Sequence, residues 1–266
     1  MTSAMPSENL PIPERRVVVL GASNVMRGLG HVVDEARTAW GNPLDLLVAS
    51  GYGRSYGTRS RVLGRALPSL LDCGLWRALD QRPDLPTAGL VTDVGNDILY
   101  GAPVDQIVAW VEQVLERLRP RVERLVLTGL PVEGVRTLGE VRFFLFRMLL
   151  FPSTSVTLDA ARDAAYTVDE RLRRLAEKFD AVFVRPDPRW YGLDPIHIRI
   201  RHRREAWRTF LSGWVEGAPP AVCALSALGR LRLRALLPEH RWFFGIEQRR
   251  KQPALRLADG SRLWLF

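Results

Sequence analysis

The chain has 266 residues and a formal net charge of +9; 47% of its residues are hydrophobic and 25% are charged. This composition is typical of a globular protein built from one large domain, with or without an appendage. Two cysteines and the lack of any run of roughly 20 apolar residues exclude a disulfide scaffold and a membrane-spanning helix. Residues 1–14 lack a secretory signal pattern, and we predict a flexible tail and a cytoplasmic protein.

Short apolar runs alternate with amphipathic stretches along residues 15–217. We predict strands in RRVVVLGA, PLDLLVAS, the start of TAGLVTDVGNDILYG, RVERLVLTGL and DAVFVRP. Helices are predicted in NVMRGLGHVVDEARTAW, irregularly in VLGRALPSLLDCGLWRAL, from Val104 to Leu118, in VDERLRRLAEKF and in HRREAWRTFLSGWV. Because strands alternate with helices, we predict an α/β fold with a five-stranded, mainly parallel, doubly wound sheet.

The last part of the chain, residues 218–266, departs from this alternation after a Pro-Pro pair. Two alternating runs around Asp259-Gly260 predict a β-hairpin. We therefore predict a C-terminal appendage that contains this hairpin and packs on the core. The apolar segment 141–152 is too short to span a bilayer. For this segment a buried helix is favoured over a flap above the site, and a flap over membrane contact.

Four polar clusters lie at or near the ends of predicted strands, and each has a plain structural explanation. Ser23 follows the first strand and suits a helix cap. The glycines of residues 51–57 suit turns. Asn96 belongs to a Gly-Asn-Asp turn, and Asp194 with His197 suits a surface pair. Because the carboxyl ends of parallel strands meet at one edge of a sheet, we predict that all four clusters converge there.

Together these clusters contain the groups that acyl transfer requires. The Ser23 hydroxyl is a weak nucleophile and needs a base. His197 suits that role better than the other three histidines, which lie on a predicted helix, in a run of arginines and in the appendage. Asp194 would then fix the tautomer of His197. The Ser23 amide, a glycine amide of residues 51–57 and the Asn96 side chain are candidate donors to an oxyanion.

The order of these motifs resembles that of the SGNH hydrolases, also called GDSL-type esterases and lipases. The sequence GASN at 21–24 is similar to the family's Gly-Asp-Ser block, and GND at 95–97 to its Gly-x-Asn-Asp block. The sequence DPIH at 194–197 matches its Asp-x-x-His block. For the glycine of the second block, Gly53 fits best and Gly51 is the second choice.

This resemblance covers roughly residues 15–215, so we assign 15–217 to an SGNH-type hydrolase domain. It implies a flavodoxin-like three-layer α/β/α fold and a serine mechanism that uses no metal and no cofactor. The implied substrate is a small-molecule ester. The implied catalytic residues are Ser23, Asp194 and His197, and the implied oxyanion donors are Ser23, Gly53 and Asn96.

Two positions depart from the family pattern. Ala22 stands where the family has an acid that braces the nucleophile turn. The alternative function is therefore a catalytically weakened or inactive SGNH-fold protein that serves as a binding or scaffold module. Arg54 follows the glycine of the second block, and we predict that it binds an anionic group of the substrate.

Two further functions fit the sequence less well. The opening stretch has neither the G-x-G-x-x-G nor the P-loop pattern, which argues against a dinucleotide or phosphate site. Most of the positive charge is arginine, yet no aromatic-basic pattern of a nucleic-acid module is present. We therefore predict no specific nucleic-acid partner, and the oligomeric state stays open.

Overall fold

The computed structural model describes residues 10–136, 138–144, 154–215 and 224–266. The strands are β1 (Arg15–Leu20), β2 (Leu44–Ala49), β3 (Ser60–Val62), β4 (Arg65–Leu67), β5 (Thr87–Val91), β6 (Arg124–Thr128), β7 (Val182–Val184), β8 (His240–Phe243), β9 (Ile246–Arg249), β10 (Leu255–Arg256) and β11 (Arg262–Leu265). The helices are α1 (Ser23–Trp40), α2 (Leu75–Asp80), α3 (Asn96–Leu99), α4 (Val104–Leu118), α5 (Val132–Arg136), α6 (Leu158–Lys178), α7 (Arg203–Leu211) and α8 (Ala227–Arg234). Single 3-10 turns span Arg119–Arg121, Pro188–Trp190, Ile200–His202 and Ser212–Trp214.

The main sheet has the strand order β10-β11-β2-β1-β5-β6-β7. Its strands β2, β1, β5, β6 and β7 are parallel and follow the order of a flavodoxin-like sheet. Val17 and Val19 face a core shared with α1 and α7, while Val18 and Leu20 face a core shared with α4 and α6. Helices therefore cover both faces, which confirms the predicted three-layer α/β/α fold.

The main sheet is larger than the five strands predicted. The predicted C-terminal hairpin is present, since β10 and β11 pair antiparallel. In addition β11 pairs parallel with β2, so the appendage contributes two strands to the sheet. The number of five was wrong because the outer edge of β2 pairs with a strand from far along the chain, which local patterns do not reveal. Leu263 and Leu265 are buried by this pairing.

A second, antiparallel sheet, here called the small sheet, has the order β3-β4-β8-β9. The irregular helix predicted over residues 62–79 was wrong in its first part, where Leu63-Gly64 turns the chain between β3 and β4. Both turn residues have positive φ, 49° and 73°, as type I′ hairpins require. Phe244-Gly245 makes the same kind of turn between β8 and β9. The pairing of β4 with β8 thus overrides local helix preference.

Two of the sequence-based interpretations fall partly on residues that the structure leaves undescribed. Residues 140–144 are helical and Phe143 is buried, whereas 145–152 lie outside the described residues. Residues 1–9 of the predicted tail also lie outside the described residues. Within the described ranges, no helix combines the length and the apolar character needed to cross a bilayer.

Candidate active site

Ser23 is the first residue of α1, directly beyond the carboxyl end of β1. Its hydroxyl does not cap the helix; the residue before it, Ala22, occupies the cap position without a side-chain hydrogen bond. Instead Ser23 Oγ lies 2.9 Å from Nε2 of His197. Both side chains are nearly buried, with Ser23 7% and His197 6% exposed. Helix capping therefore does not explain this serine.

His197 is held on its other side by Asp194. Nδ1 of His197 lies 2.6 Å from Oδ2 of Asp194, and Oδ1 accepts the backbone N–H groups of Ile196 and His197. Burial raises the pKa of Asp194, but the bonds from His197 and Ile196 and the charge of Arg27 outweigh it, so the pKa lies below its ordinary value. An ionised Asp194 accepts a hydrogen bond from Nδ1–H, which favours the tautomer whose Nε2 is free to accept a proton from Ser23.

The structure supplies an acid beside the nucleophile turn from a different strand, at Asp93. Oδ2 of Asp93 accepts the backbone N–H groups of Ala22 at 3.0 Å, Asn24 at 3.0 Å and Val25 at 3.4 Å. A carboxylate at a helix N-terminus is stabilised by the free amides and the helix dipole. Asp93 has a φ of 62°, a conformation that Asp tolerates better than most residues. The acid absent at Ala22 is thus provided from the end of β5.

Asn24 connects this acid to the histidine loop. Its Nδ2 donates to Oδ1 of Asp93 and to the carbonyl of Ile196, both at 2.9 Å. Its Oδ1 accepts the N–H of Ile198, also at 2.9 Å. Asn24 therefore holds the main chain on both sides of His197. Neither Asp93 nor Asn24 was predicted from the sequence to have a role at the site.

The loop after β2 brings the predicted glycines to the same place. The N–H of Arg54 donates to the carbonyl of Gly51, and Gly53 has a φ of 63°, as the third position of a type II turn requires. Tyr100 Oη donates to the carbonyl of Gly53, and Asn96 Nδ2 to that of Arg54. Helix α3 thereby fixes the loop next to Ser23.

The three residues predicted to donate to an oxyanion line one cleft. Gly53 and Asn96 line the same cleft as Ser23 and His197, and Gly51, the second choice, lines it as well. Among the described residues, the backbone N–H groups of Ser23 and Gly53 have no acceptor. They are available to a ligand atom, together with the second proton of Asn96 Nδ2.

Arg54, predicted to bind a substrate anion, is not brought to this space. It is fully buried and lines neither cavity at the site. Its guanidinium donates to the main-chain oxygens of Ser50, Pro68 and Phe266. Burial lowers its pKa. The Arg54 guanidinium, which was predicted to lie beside the oxyanion, instead stabilises the loop after β2 through these buried hydrogen bonds.

Asp97 anchors the same loop and carries a testable pH dependence. It is fully buried and accepts hydrogen bonds from the Ser55 hydroxyl and the Tyr56 N–H. Burial nevertheless raises its pKa from 3.8 to about 6. At a pH between these two values, the Asp97 carboxyl is therefore protonated in the folded protein and ionised in the unfolded chain. We expect the Asp97 contribution to the free energy of unfolding to fall by roughly 2.5 kcal/mol between pH 4 and pH 7.

Urea unfolding of the wild type and of Asp97→Asn across this range isolates that contribution, since the variant cannot titrate there. The wild type should lose stability relative to the variant as the pH rises. A difference that stays constant with pH would show that Asp97 keeps an ordinary pKa in the folded protein.

Two cavities meet at Ser23, Asn96 and Ile196. The small cavity has a volume of about 100 Å³ and a mainly apolar wall that includes Val94, Leu138 and Phe143. The large cleft has a volume of about 820 Å³ and runs between His197 and the small sheet. Within the described ranges, no three His, Cys, Asp or Glu side chains gather as metal ligands do.

Comparison with known proteins finds no matching family model and no matching curated sequence. Similar solved structures include Axe2, an acetylxylan esterase from Geobacillus stearothermophilus, at 12% identity over 78% of this chain and 99% of that one, with a TM-score of 0.49. LAE5, an alpha/beta hydrolase enzyme from the metagenome of Lake Arreo, Spain, is 13% identical over 77% and 98%, with a TM-score of 0.48. AlinE4, an SGNH-hydrolase family esterase, is 18% identical over 85% and 94%, with a TM-score of 0.42. Each of these likenesses concerns the arrangement of strands and helices.

Proposed function

We propose that the protein is a serine esterase that transfers the acyl group of a carboxylic ester to water. The observation that carries this proposal is the chain of contacts from Ser23 Oγ to His197 Nε2 at 2.9 Å and from His197 Nδ1 to Asp194 at 2.6 Å. A serine, a histidine and an acid in this order form the hydrogen-bonded set that activates a hydroxyl for attack on a carbonyl.

In the first half of the reaction, Ser23 Oγ attacks the ester carbonyl carbon while His197 Nε2 accepts the hydroxyl proton. Asp194 stabilises the imidazolium that forms. The carbonyl oxygen gains negative charge and receives hydrogen bonds from the amides of Ser23 and Gly53 and from Asn96. His197 then gives its proton to the alcohol oxygen, the C–O bond breaks and the alcohol leaves.

In the second half, water attacks the acyl-enzyme. His197 accepts a proton from the water, the tetrahedral intermediate collapses, and Ser23 recovers its proton as the acid departs. Asp93 and Asn24 take no part in these proton transfers. They hold the nucleophile turn and the histidine loop in register, which keeps the Oγ to Nε2 distance short.

The proposal is tested by covalent trapping. A fluorophosphonate reacts preferentially with an activated serine, displaces fluoride and leaves a tetrahedral phosphonyl adduct. We expect the purified protein to hydrolyse 4-nitrophenyl acetate, to lose this activity after treatment, and to carry the adduct on the peptide that contains Ser23, as located by mass spectrometry.

His197→Ala is the matched variant, because it retains the serine and removes its base. It should label far more slowly than the wild type. Hydrolysis that persists with Ser23 fully modified, or an adduct on another serine, would contradict the proposal. A folded protein that neither hydrolyses the ester nor labels would favour the binding or scaffold alternative.

A further inference from the structure

The two cavities at Ser23 differ in their position relative to His197, and this difference indicates which half of an ester each one would hold. His197 lines the large cleft but not the small cavity. Because His197 delivers the proton to the leaving alcohol oxygen, the alcohol half of the ester lies on the His197 side. The acyl half then occupies the small cavity, whose volume of about 100 Å³ admits a short chain.

The wall of the large cleft opposite His197 carries arginines of the small sheet. Arg65 on β4 lies opposite Phe243 on β8, and Arg241 stands two residues before Phe243, so all three share one face. All three line the cleft. Among the described residues neither arginine has a carboxylate within ion-pair distance, and the hydrogen-bond partner of Arg241 is the neutral Gln248.

The charges of these arginines are mutually unfavourable without a ligand. Burial, followed by the charges of Arg65 and Arg250, lowers the pKa of Arg241. Arg27 also lines the cleft, with its guanidinium 4.0 Å from Asp194. Arg27 is thus paired with Asp194, whereas no described carboxylate pairs with Arg65 or Arg241, and their positive charge attracts anions to the cleft.

The turns of the small sheet add an apolar rim to the cleft. Leu63 and Phe244 line the cleft, yet they are 74% and 73% exposed and have positive φ. Glycine or asparagine fits such positions with less strain. Exposed apolar side chains held in a strained turn at the cleft mouth suit contact with an apolar part of a ligand.

We propose that the substrate is an ester of a short apolar acid with an alcohol that carries an apolar body and an anionic oxygen group, carboxylate or phosphate, bound by Arg65 and Arg241. This inference rests on the proposed esterase function and adds the chemistry of the alcohol. In the reaction the acyl C–O bond breaks, water supplies the new oxygen, and the anionic alcohol takes its proton from His197 and leaves through the cleft.

The test uses two aromatic acetates whose leaving groups differ only in the carboxyl substituent, and it compares the ratio of their rates between wild type and variants. One is 4-acetoxy-3-nitrobenzoate, and the other is its neutral methyl ester. We expect the ratio of kcat/KM for the anionic over the neutral acetate to fall about tenfold or more in Arg65→Gln and in Arg241→Gln, mainly through KM. Added salt should lower the ratio in the wild type.

Arg121→Gln is the matched control, because it removes the same charge at the amino end of β6, the sheet edge opposite the site. Its ratio should equal that of the wild type. Replacing the carboxylate of the probe by a phosphate shows which anion is preferred; selectivity for either one that depends on Arg65 and Arg241 supports the inference. Hydrolysis of the neutral acetate with ratios identical in wild type and both variants would overturn it while leaving the esterase proposal intact.

Discussion

Replacing Ser23 by alanine is expected to lower kcat for 4-nitrophenyl acetate by about four to six orders of magnitude. The hydroxyl oxygen is the atom that attacks the carbonyl carbon and forms the acyl-enzyme, and the substitution removes it. The fold should persist, since among the described residues the hydroxyl has only His197 as a hydrogen-bond partner, and the adjoining amides are held by Asp93. Steady-state kinetics, with circular dichroism and urea unfolding on the same preparation, measures both effects.

Ser226→Ala provides the matched control for this variant. Ser226 also precedes a helix, but its hydroxyl does cap α8 by accepting the N–H of Gly229. We expect this change to cost about 1 kcal/mol of stability and to leave kcat at the wild-type value. The two serines should therefore show opposite responses. Substantial activity in Ser23→Ala would refute the role of Ser23 as nucleophile.

Asp93→Gly is expected to reduce kcat by roughly 10²–10³-fold with a smaller change in KM. Glycine accepts the positive φ of this position, so the loss reports on the carboxylate and not on backbone strain. Without it, the amides of Ala22 and Asn24 lose their acceptor, and the Asn24 side chain, which holds the histidine loop, loses its own bond to Asp93. Asp93→Asn keeps one acceptor oxygen and should recover part of the activity. The rate of fluorophosphonate labelling should follow kcat in both variants.

Asp259→Gly separates positioning from general stability. Asp259 also accepts a backbone N–H, that of Ser261, and pairs with Arg37, but it lies in the turn between β10 and β11, away from the site. This variant should lose stability and keep its kcat. If Asp93→Gly instead lowered only the free energy of unfolding and left kcat and labelling unchanged, Asp93 would have a purely structural role.

The parallel sheet and the convergence of the four clusters were predictable because they depend on local patterns. Apolar runs of strand length alternate with helices, and any sheet built from them brings Ser23, Gly53, Asn96 and His197 to its carboxyl edge. The distance between Ser23 and His197, in contrast, depends on how the loop after β7 folds back, and Asn24 controls that loop through two main-chain contacts.

Predicting the role of Asp93 would have required the register between β1 and β5 in addition to the sequence motifs. In the parallel pair β1–β5, Leu20 aligns with Val91, so two residues further on Ala22 comes beside Asp93. An acid missing from one strand end is thus replaced from its neighbour. A motif within a single segment does not reveal this substitution of one acid position by another, because Ala22 and Asp93 are close in space and far apart in sequence.

The strands of the small sheet and the burial of Arg54 could not be predicted from local sequence, because both depend on contacts with distant parts of the chain. The segment 62–67 has helix-compatible residues, and its conformation is decided by pairing with β8, which comes much later in the chain. Arg54 is charged and lies in a glycine-rich loop, which favours exposure, yet its guanidinium is buried and donates to three main-chain oxygens inside the protein. Tertiary contacts outweigh local preference at both places.

The insertion of β11 beside β2 has a consequence for biosynthesis. Leu44 and Ser261 are hydrogen-bonded although they are 217 positions apart in the sequence. The paired strands β4 and β8 are also separated by most of the chain. Contacts between such distant segments form slowly and only after the later segment has left the ribosome. A nascent chain that already contains Ser23, Asp194 and His197 therefore lacks the wall of the large cleft. Catalytic competence toward the anionic ester is expected to arise only after β8 has been synthesised and has docked onto β4.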